Sequence, residues 1–417
     1  MIKVFKFGGA SVRDAAGIEN LYNIVSPESG SVVAVISALG KTTNMLEEIH
    51  QAWRGGDGSF REKYDALAGY HLEIASQLLG TDSEPVKAIK DLLESSGGAL
   101  VSRMPDKFDS DYDMIVSQGE VWSTMIVESY LRSRGLNTRW VDIRRVILTD
   151  NRHRDAGVIW EASASAALRE FTNGGADIYV TQGFIGATAE GAPTTLGREG
   201  SDYTAALLAN MLDAEKVVVW KDVAGVMNAD PKWMPSAITL GRLSYNEAVE
   251  MTFSGAKVIH PKTIKPLHNK KIPMEVRSFI DPSATGTLIS SEAPQWPLPP
   301  VFVKKEKQIL ISVMPKDLSF VMGDILAGLF HTLADNGVKV NLVQTGAVSI
   351  NICADNEEPV ISSVLERLAS DFSILYNDSA EMITVRHHTP GAVEMVTAGR
   401  EVLLSQTTRN SVRLVVR

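Results

Sequence analysis

Thr194-Thr195-Leu196-Gly197-Arg198-Glu199-Gly200-Ser201-Asp202-Tyr203-Thr204 decides how this chain is read. Two glycines bracket an arginine, and the spacing beyond them predicts a helix over Tyr203–Leu212. A glycine turn that feeds a helix N-terminus is an anion site, because unpaired backbone N–H groups and the helix dipole both point at the ligand. Arg198 adds a planar cation that suits a carboxylate or a phosphate. Read alone, Ser201 or Asp202 is equally well an N-cap. Upstream, Asp177–Gln182 reads as a strand entering the glycine turn Gly183–Gly186, and downstream Lys216–Val223 is a strand ending in charge. Strand, turn, helix, strand is the repeating unit of an α/β fold.

The unit recurs outward from there. The chain opens with a strand, Ile2–Phe7, then Gly8-Gly9-Ala10-Ser11. Lys6 stands at the strand's C-terminal end, where open α/β sheets bind ligands, and the glycines let backbone approach one closely. This is no P-loop, since the lysine precedes the glycines. Val32–Ser37 is a continuous apolar run, as in a buried parallel strand, and Ser37–Asn44 follows as a polar loop with Thr43 available. Helices are predicted over Met45–Trp53, Tyr64–Leu79, Val121–Arg134, Glu161–Asn173 and Ser244–Thr252, and a strand over Thr138–Ile143. Gly80–Asp113 reads as polar and irregular, with one helical segment near Val86–Leu93 and no chemistry. Glu120 suits a helix first turn, or faces a ligand. Asp222 and Asp230 lie beyond a strand end as turn residues or cofactor contacts, and Lys257 is a solvated charge or a phosphate group's partner. The pattern predicts an α/β sandwich with a mostly parallel sheet over residues 1–285.

Composition then shifts. Ser283–Thr287 and Pro294–Pro300 read as a linker. Beyond it come a strand (Gln308–Met314), a helix (Phe320–Leu333), two strands (Lys339–Thr345, Val348–Ala354), a helix (Pro359–Ala369) and a strand (Phe372–Tyr376), the ferredoxin-like α+β order. Glu381–His387 and Glu401–Arg417 add strand-like segments, with at most a turn around Val393–Thr397. A length of 417 residues calls for two or three domains. The net charge of −9 argues against a dedicated nucleic-acid binder. The one cysteine, Cys353, excludes an internal disulfide and sits in an alternating strand as a small buried residue. With no charged-then-apolar leader and no long apolar run, a cytoplasmic enzyme without a membrane span is expected.

Taken in order, five pieces resemble the aspartokinase family over almost the whole chain. They are Lys6-Phe7-Gly8-Gly9-Ala10-Ser11, Ser117-Gln118-Gly119-Glu120, Thr195 through Asp202, Lys221-Asp222-Val223 with Asp230-Pro231-Lys232, and Gly255-Ala256-Lys257-Val258-Ile259-His260-Pro261. Five motifs in one order are specific where any single one is not. The resemblance implies a three-layer amino-acid-kinase domain over 1–285, a linker over 286–300 and an ACT domain over 301–378. It also implies a truncated second ACT-like unit over 379–417, which Val301–Lys305 joins. It implies phosphorylation of the β-carboxylate of L-aspartate by ATP with Mg²⁺, the first step toward lysine, threonine and methionine. The chemistry is coherent: an aspartate side chain is already ionised at neutral pH, so no general base is needed. Catalysis reduces to positioning two anions and neutralising the moving phosphoryl charge.

By the same resemblance Arg198 takes the substrate α-carboxylate and Glu120 its ammonium, with Ser37, Thr43 and Ser201 as further contacts. Lys6 and Lys257 hold the phosphates, Asp202 orients a lysine, and Phe7, Gly8 and Gly9 line the phosphate turn. Lys221, Asp222, Met227, Asp230, Lys232 and Val258 line the nucleotide pocket, and no protein metal ligand is implied. An amino-acid effector, lysine or threonine, at the ACT region and a homodimer joined through sheet edges complete the expectation. Four residues depart from the family pattern: Ala10 for threonine, Glu199 for glycine, Lys221 for threonine or serine, and Met227 for an aromatic. A glutamate next to a carboxylate-binding arginine weakens the clamp unless it points to solvent. The competing readings are another kinase of the same fold, acting on glutamate, acetylglutamate, carbamate or a nucleotide, and an inactive amino-acid sensor. Arg198 with Glu120 matches both charges of a free amino acid, and the presence of Lys6, Asp202 and Lys257 speaks for turnover.

Overall fold

The computed structural model describes residues 1–256, 259–292, 298–317, 320–321 and 323–417. The chain divides into two compact units. The first is Met1–Val226, Thr239–Val249 and Val258–Ala293; the second is Met227–Ile238, Glu250–Lys257 and Pro294–Arg417.

The first unit runs β1 (Ile2–Phe7), α1 (Ala15–Val25), β2 (Ser31–Ile36), α2 (Thr42–Arg54), α3 (Ser59–Leu79), α4 (Glu84–Ser102), α5 (Phe108–Val116), α6 (Gln118–Ser133), β3 (Thr138–Val141) and α7 (Trp160–Thr172). It continues with β4 (Ile178–Gln182), β5 (Ile185–Ala187), β6 (Pro193–Thr195), α8 (Gly200–Met211), β7 (Lys216–Lys221), β8 (Arg242–Ser244), α9 (Tyr245–Phe253), α10 (Pro261–Lys270), β9 (Met274–Ser278) and β10 (Thr287–Ser290). Helix α9 carries the chain across into the second unit. Eight of the strands form one sheet in the order β3-β4-β2-β1-β7-β9-β10-β8, parallel at every junction except β9–β10.

Strand alternation sorts the two faces of this sheet. Phe5 and Phe7 join Val32, Ala34, Ile36, Val180 and Trp220 in a core shared with α1 through α6. The Phe7 ring stacks on Trp220 with centroids 6.3 Å apart. Alternate positions, Val4 and Lys6, therefore face the opposite layer, where α8 packs on β1, β2 and β7. Helix α8 is buried along nearly its whole length, with Ala205 through Ala209 all inside, as expected of a helix covered on every side.

The helical segment expected near Val86–Leu93 is the middle of a longer helix, α4, and the rest of the polar stretch read as irregular adds the start of a second, α5. Ser83 accepts from the Val86 N–H and Pro85 stands in the first turn, so α4 starts from an ordinary capped N-terminus, and it buries Val86, Ile89, Leu93 and Leu100. Residues 286–300 are not simply a linker, because Thr287–Ser290 is β10, paired to both β9 and β8.

The second unit holds β11 (Val301–Pro315), α11 (Asp324–Asp335), β12 (Val340–Thr345), β13 (Ile350–Asp355), α12 (Val360–Leu368), β14 (Phe372–Arg386), α13 (Pro390–Thr397), β15 (Val402–Thr407) and β16 (Ser411–Val416). Its six strands make one antiparallel sheet, β12-β13-β11-β14-β16-β15. Val301–Lys305 pairs with 382–386, and 310–315 pairs with 372–377 across a register shift near Gln308. The expected boundary at 378/379 thus falls inside β14, a single 15-residue strand that serves both halves of the sheet. Where a turn was expected, α13 forms, because Thr389 caps the Ala392 N–H and Pro390 occupies the first position. Helices α11 and α12 cover one core and α13 a second. The opposite face carries Leu310, Leu342, Cys353, Met382 and Val415. Cys353 is fully buried there, and burial pushes its thiol up to about 12.

Candidate active site

Register places the site. Phe7 lies opposite Ile36 and Trp220, and Ile36 opposite Gln182, so β1, β2, β4 and β7 end at one edge of the sheet. The loops that leave that edge are 8–11, 37–41, 183–184 and the segment after Lys221, the usual ligand edge of a parallel sheet. A Cβ on Gly9 would lie 2.6 Å from the Ala38 carbonyl oxygen and 2.8 Å from that of Gly40. Only glycine lets these two loops pass so closely; the Gly40 N–H donates to the Gly9 carbonyl at 3.0 Å. Gly183 answers the same need against Ser201, whose Cβ would stand 2.5 Å from an added methyl group.

Lys6 leaves β1 toward α8 and meets Asp202 in that helix's first turn, Nζ to Oδ1 2.6 Å. Lys221, at the end of β7, approaches the other carboxylate oxygen at 3.9 Å. Burial raises the Asp202 pKa, but the Lys6 and Lys221 charges beside it outweigh burial, and the net direction is down. One ionised carboxylate therefore serves two lysines. Asp202 and Ser201 are not caps, because α8 begins three residues earlier than predicted and its N-cap is Glu199, whose side chain makes no capping bond.

Glu199 lies in the left-handed region, φ +54°, which costs a non-glycine residue about 1 kcal/mol. Its Oε2 accepts from the His260 backbone N–H at 2.9 Å. Nearby, Asp155 pairs with Lys262, and a Cβ on Gly197 would meet the Asp155 carboxylate at 2.8 Å. The turn 197–199 is thus tied to the residues that open α10.

Glu120 stands in the first turn of α6, 2 % exposed. Its Oε2 is buried with no hydrogen-bond partner among the described residues. Burial pushes its pKa up to about 8, against the opposing pull of its own and the Ala38 backbone N–H groups. A buried carboxylate in that state lacks a cation. Arg198, by contrast, is exposed and pairs with no carboxylate among the described residues. Ser37 donates its N–H to the Phe7 carbonyl and is half-buried; Thr43 lies in the first turn of α2, also half-buried; Ser201 is buried.

The first unit also holds Phe7 and Asp222 of the expected residues. Phe7 is a core residue, so its contribution to the turn is its carbonyl alone. Asp222 is exposed just past β7. Met227, Asp230 and Lys232 belong to the second unit, where the Asp230 carboxylate accepts from the Lys232 N–H at 2.9 Å and closes a turn. Lys257 and Val258 lie outside the described residues. Sequence reading missed Asp113, which is fully buried and anchors the neighbourhood of the glycine turn. It accepts from Thr195 Oγ1 at 2.6 Å, from the Arg154 N–H, and pairs with His153 at 2.8 Å. It also missed the sharing of Asp202 by Lys221, legible only from the parallel register. No helix among the described residues is long and apolar enough to cross a membrane.

The sequence pattern of the amino acid kinase family matches residues 1–278. The lysine-sensitive aspartokinase 3 of Escherichia coli is 33 % identical over 361 residues, covering 85 % of this chain and 78 % of its own length. The crystal structure of E. coli aspartokinase III with lysine and aspartate superposes with a TM-score of 0.82 at 28 % identity, over 99 % of this chain and 95 % of that one. The same enzyme's structure with aspartate and ADP gives 0.81 at 28 % identity, over 100 % and 96 %.

Proposed function

The chain belongs to the amino acid kinase family and, within it, to the aspartokinases, and we propose how its residues divide the work of that reaction. The reaction is ATP-dependent phosphorylation of the β-carboxylate of L-aspartate to 4-phospho-L-aspartate, the first step of the aspartate-derived amino-acid pathway. The observation that carries the account is the buried Asp202 shared by Lys6 and Lys221 at the ligand edge of the sheet.

A carboxylate oxygen of aspartate attacks the γ-phosphorus, the bond from that phosphorus to the bridging oxygen breaks, and ADP leaves. No proton moves, so the protein supplies position and charge. Asp202 holds and aims Lys6 and Lys221, and Lys6 with the Gly8 and Gly9 backbone N–H groups meets the phosphates as charge shifts to ADP. Lys257, Val258, Asp222, Met227, Asp230 and Lys232 remain assigned to the nucleotide. Glu120 takes the aspartate ammonium, the cation its buried carboxylate lacks, and Arg198 takes the α-carboxylate. Ser37, Thr43 and Ser201 supply hydroxyls to the same substrate. Mg²⁺ bound to the triphosphate would add charge neutralisation; such an ion needs only one or two protein carboxylates beside phosphate oxygens, and Asp222, exposed just past β7, would be a candidate.

Kinship with a lysine-sensitive enzyme supports an amino-acid effector, lysine or threonine, at the second unit. The sheet edges β12 and β15 support a homodimer formed along them. A cytoplasmic setting belongs to the same reading. The test is direct: with ATP, Mg²⁺ and hydroxylamine, aspartate should yield a hydroxamate well above glutamate, and equal yields would sink the assignment.

A further inference from the structure

The second unit gathers arginines on one face. In the β14–β16 ladder, Arg386 lies opposite Ser411 and Thr384 opposite Arg413. Side chains alternate along a strand, so Arg386 and Arg413 share a face as diagonal neighbours. The turn that joins β15 to β16 adds Arg409, and it is braced by Thr408 Oγ1 against Ser411 Oγ at 2.8 Å. The C-terminal half of α9 lies against the same face. Glu250 accepts from Arg386 at 3.0 Å, and the Arg413 guanidinium sits 5.4 Å over the Phe253 ring.

Glu250, Arg386, Thr408, Arg409, Ser411 and Arg413 line a cavity of about 380 Å³. Three guanidinium groups border it against one carboxylate. Arg386 is 7 % exposed and draws on Glu250, whereas Arg409 and Arg413 pair with no carboxylate among the described residues. Like charges collected on one sheet face destabilise it unless a counter-anion is present. The lining is polar and cationic, which disfavours an apolar ligand and repels a cationic effector such as lysine. Planar guanidinium forks match carboxylate and phosphate oxygens.

We propose that this cavity binds a compact dianion bearing carboxylate or phosphate oxygens, clamped by Arg409 and Arg413 and reaching Arg386 in competition with Glu250. The lining belongs wholly to the second unit, and the proposal does not depend on the reading given to the first.

Calorimetry on the full chain, without nucleotide and at low salt, tests this with two probes, malonate and inorganic phosphate. Four proteins separate the outcomes: wild type, the double variant Arg409→Ala with Arg413→Gln, Glu250→Gln, and Lys6→Met. Binding in wild type should weaken by about tenfold or more in the arginine variant. It should tighten in Glu250→Gln, which removes the one carboxylate that lines the cavity, and persist in Lys6→Met. Malonate alone binding selects a carboxylate ligand, and phosphate alone a phosphorylated one; either supports the site. No binding of either probe at millimolar concentration overturns it. So does binding that Lys6→Met abolishes and the arginine variant leaves intact.

Discussion

Glu199 is where the structure changes the expectation most, and its substitution discriminates between two accounts. If its carboxylate opposed Arg198, replacing it would tighten aspartate binding. The geometry gives a different role, because the carboxylate accepts from the His260 N–H at 2.9 Å and so ties the substrate turn to the segment that follows Lys257. A hydrogen bond to a charged acceptor contributes about 1.5–3 kcal/mol, and this partly buried one belongs at the low end. Loss of about 1.5 kcal/mol of positioning corresponds to roughly a tenfold change in an equilibrium constant. Glu199→Ala keeps the strained φ of +54° and loses the bond, whereas Glu199→Gly loses the bond and relieves about 1 kcal/mol of strain. Glu199→Gln keeps an acceptor. Steady-state kinetics should therefore show the ATP KM raised about tenfold in Ala and Gly and two- to threefold in Gln, with the aspartate KM little changed. In thermal melts Ala should lie below Gly. A fall in aspartate KM with an unmoved ATP KM would refute the tether and restore the opposition to Arg198.

Glu120→Gln should raise the aspartate KM far more than the ATP KM, and equal effects would remove Glu120 from the ammonium site. Because the Glu120 pKa is pushed up to about 8 in the ligand-free protein, aspartate binding near pH 7 should release close to one proton, read by calorimetry in buffers of different ionisation enthalpy. The folded pKa lies above the ordinary 4.5, so this group favours folding below 4.5 and that contribution fades as pH rises through 8; Glu120→Gln should remove on the order of 4 kcal/mol of that pH dependence, measured by denaturant titration of the apo protein. Asp202→Asn should lower kcat by roughly 10²–10³, with unchanged kcat excluding Asp202 from the charge cluster. Asp113→Ala should loosen the turn at Thr195 and raise the aspartate KM while leaving the nucleotide KM alone.

The parts of the site that were legible in the sequence are those set by short-range chemistry. Lys6 at a strand end, the glycines after it and the Gly197–Asp202 turn all declare themselves by local spacing. What stayed hidden depends on pairing across the sheet. Lys221 reaches Asp202 because β7 lies beside β1 in parallel register, and nothing near residue 221 says so. Asp113 acts on Thr195 from 82 residues away, on α5, a helix that the polarity of its stretch disguised. The misplaced linker has the same cause: Thr287–Ser290 is too short and too ringed by turn residues to announce a strand, and only its pairing with Met274–Val276 and Arg242–Ser244 makes it one.

Two glutamates of the proposed site illustrate how little identity alone determines role. Glu120 and Glu199 are the same residue, both near a helix start, yet one is buried without a partner and the other is spent on a backbone N–H. Desolvation raises the first toward neutrality and leaves it waiting for a cation, which is why it suits an ammonium. The second is already satisfied, and its bond directs it to His260, so the family's glycine can give way to a glutamate at the cost of a strained backbone rather than of the clamp. On the proposed reading, the turn at 197–202 takes a carboxylate despite Glu199 and Asp202, because one is held by the His260 N–H and the other by Lys6 and Lys221.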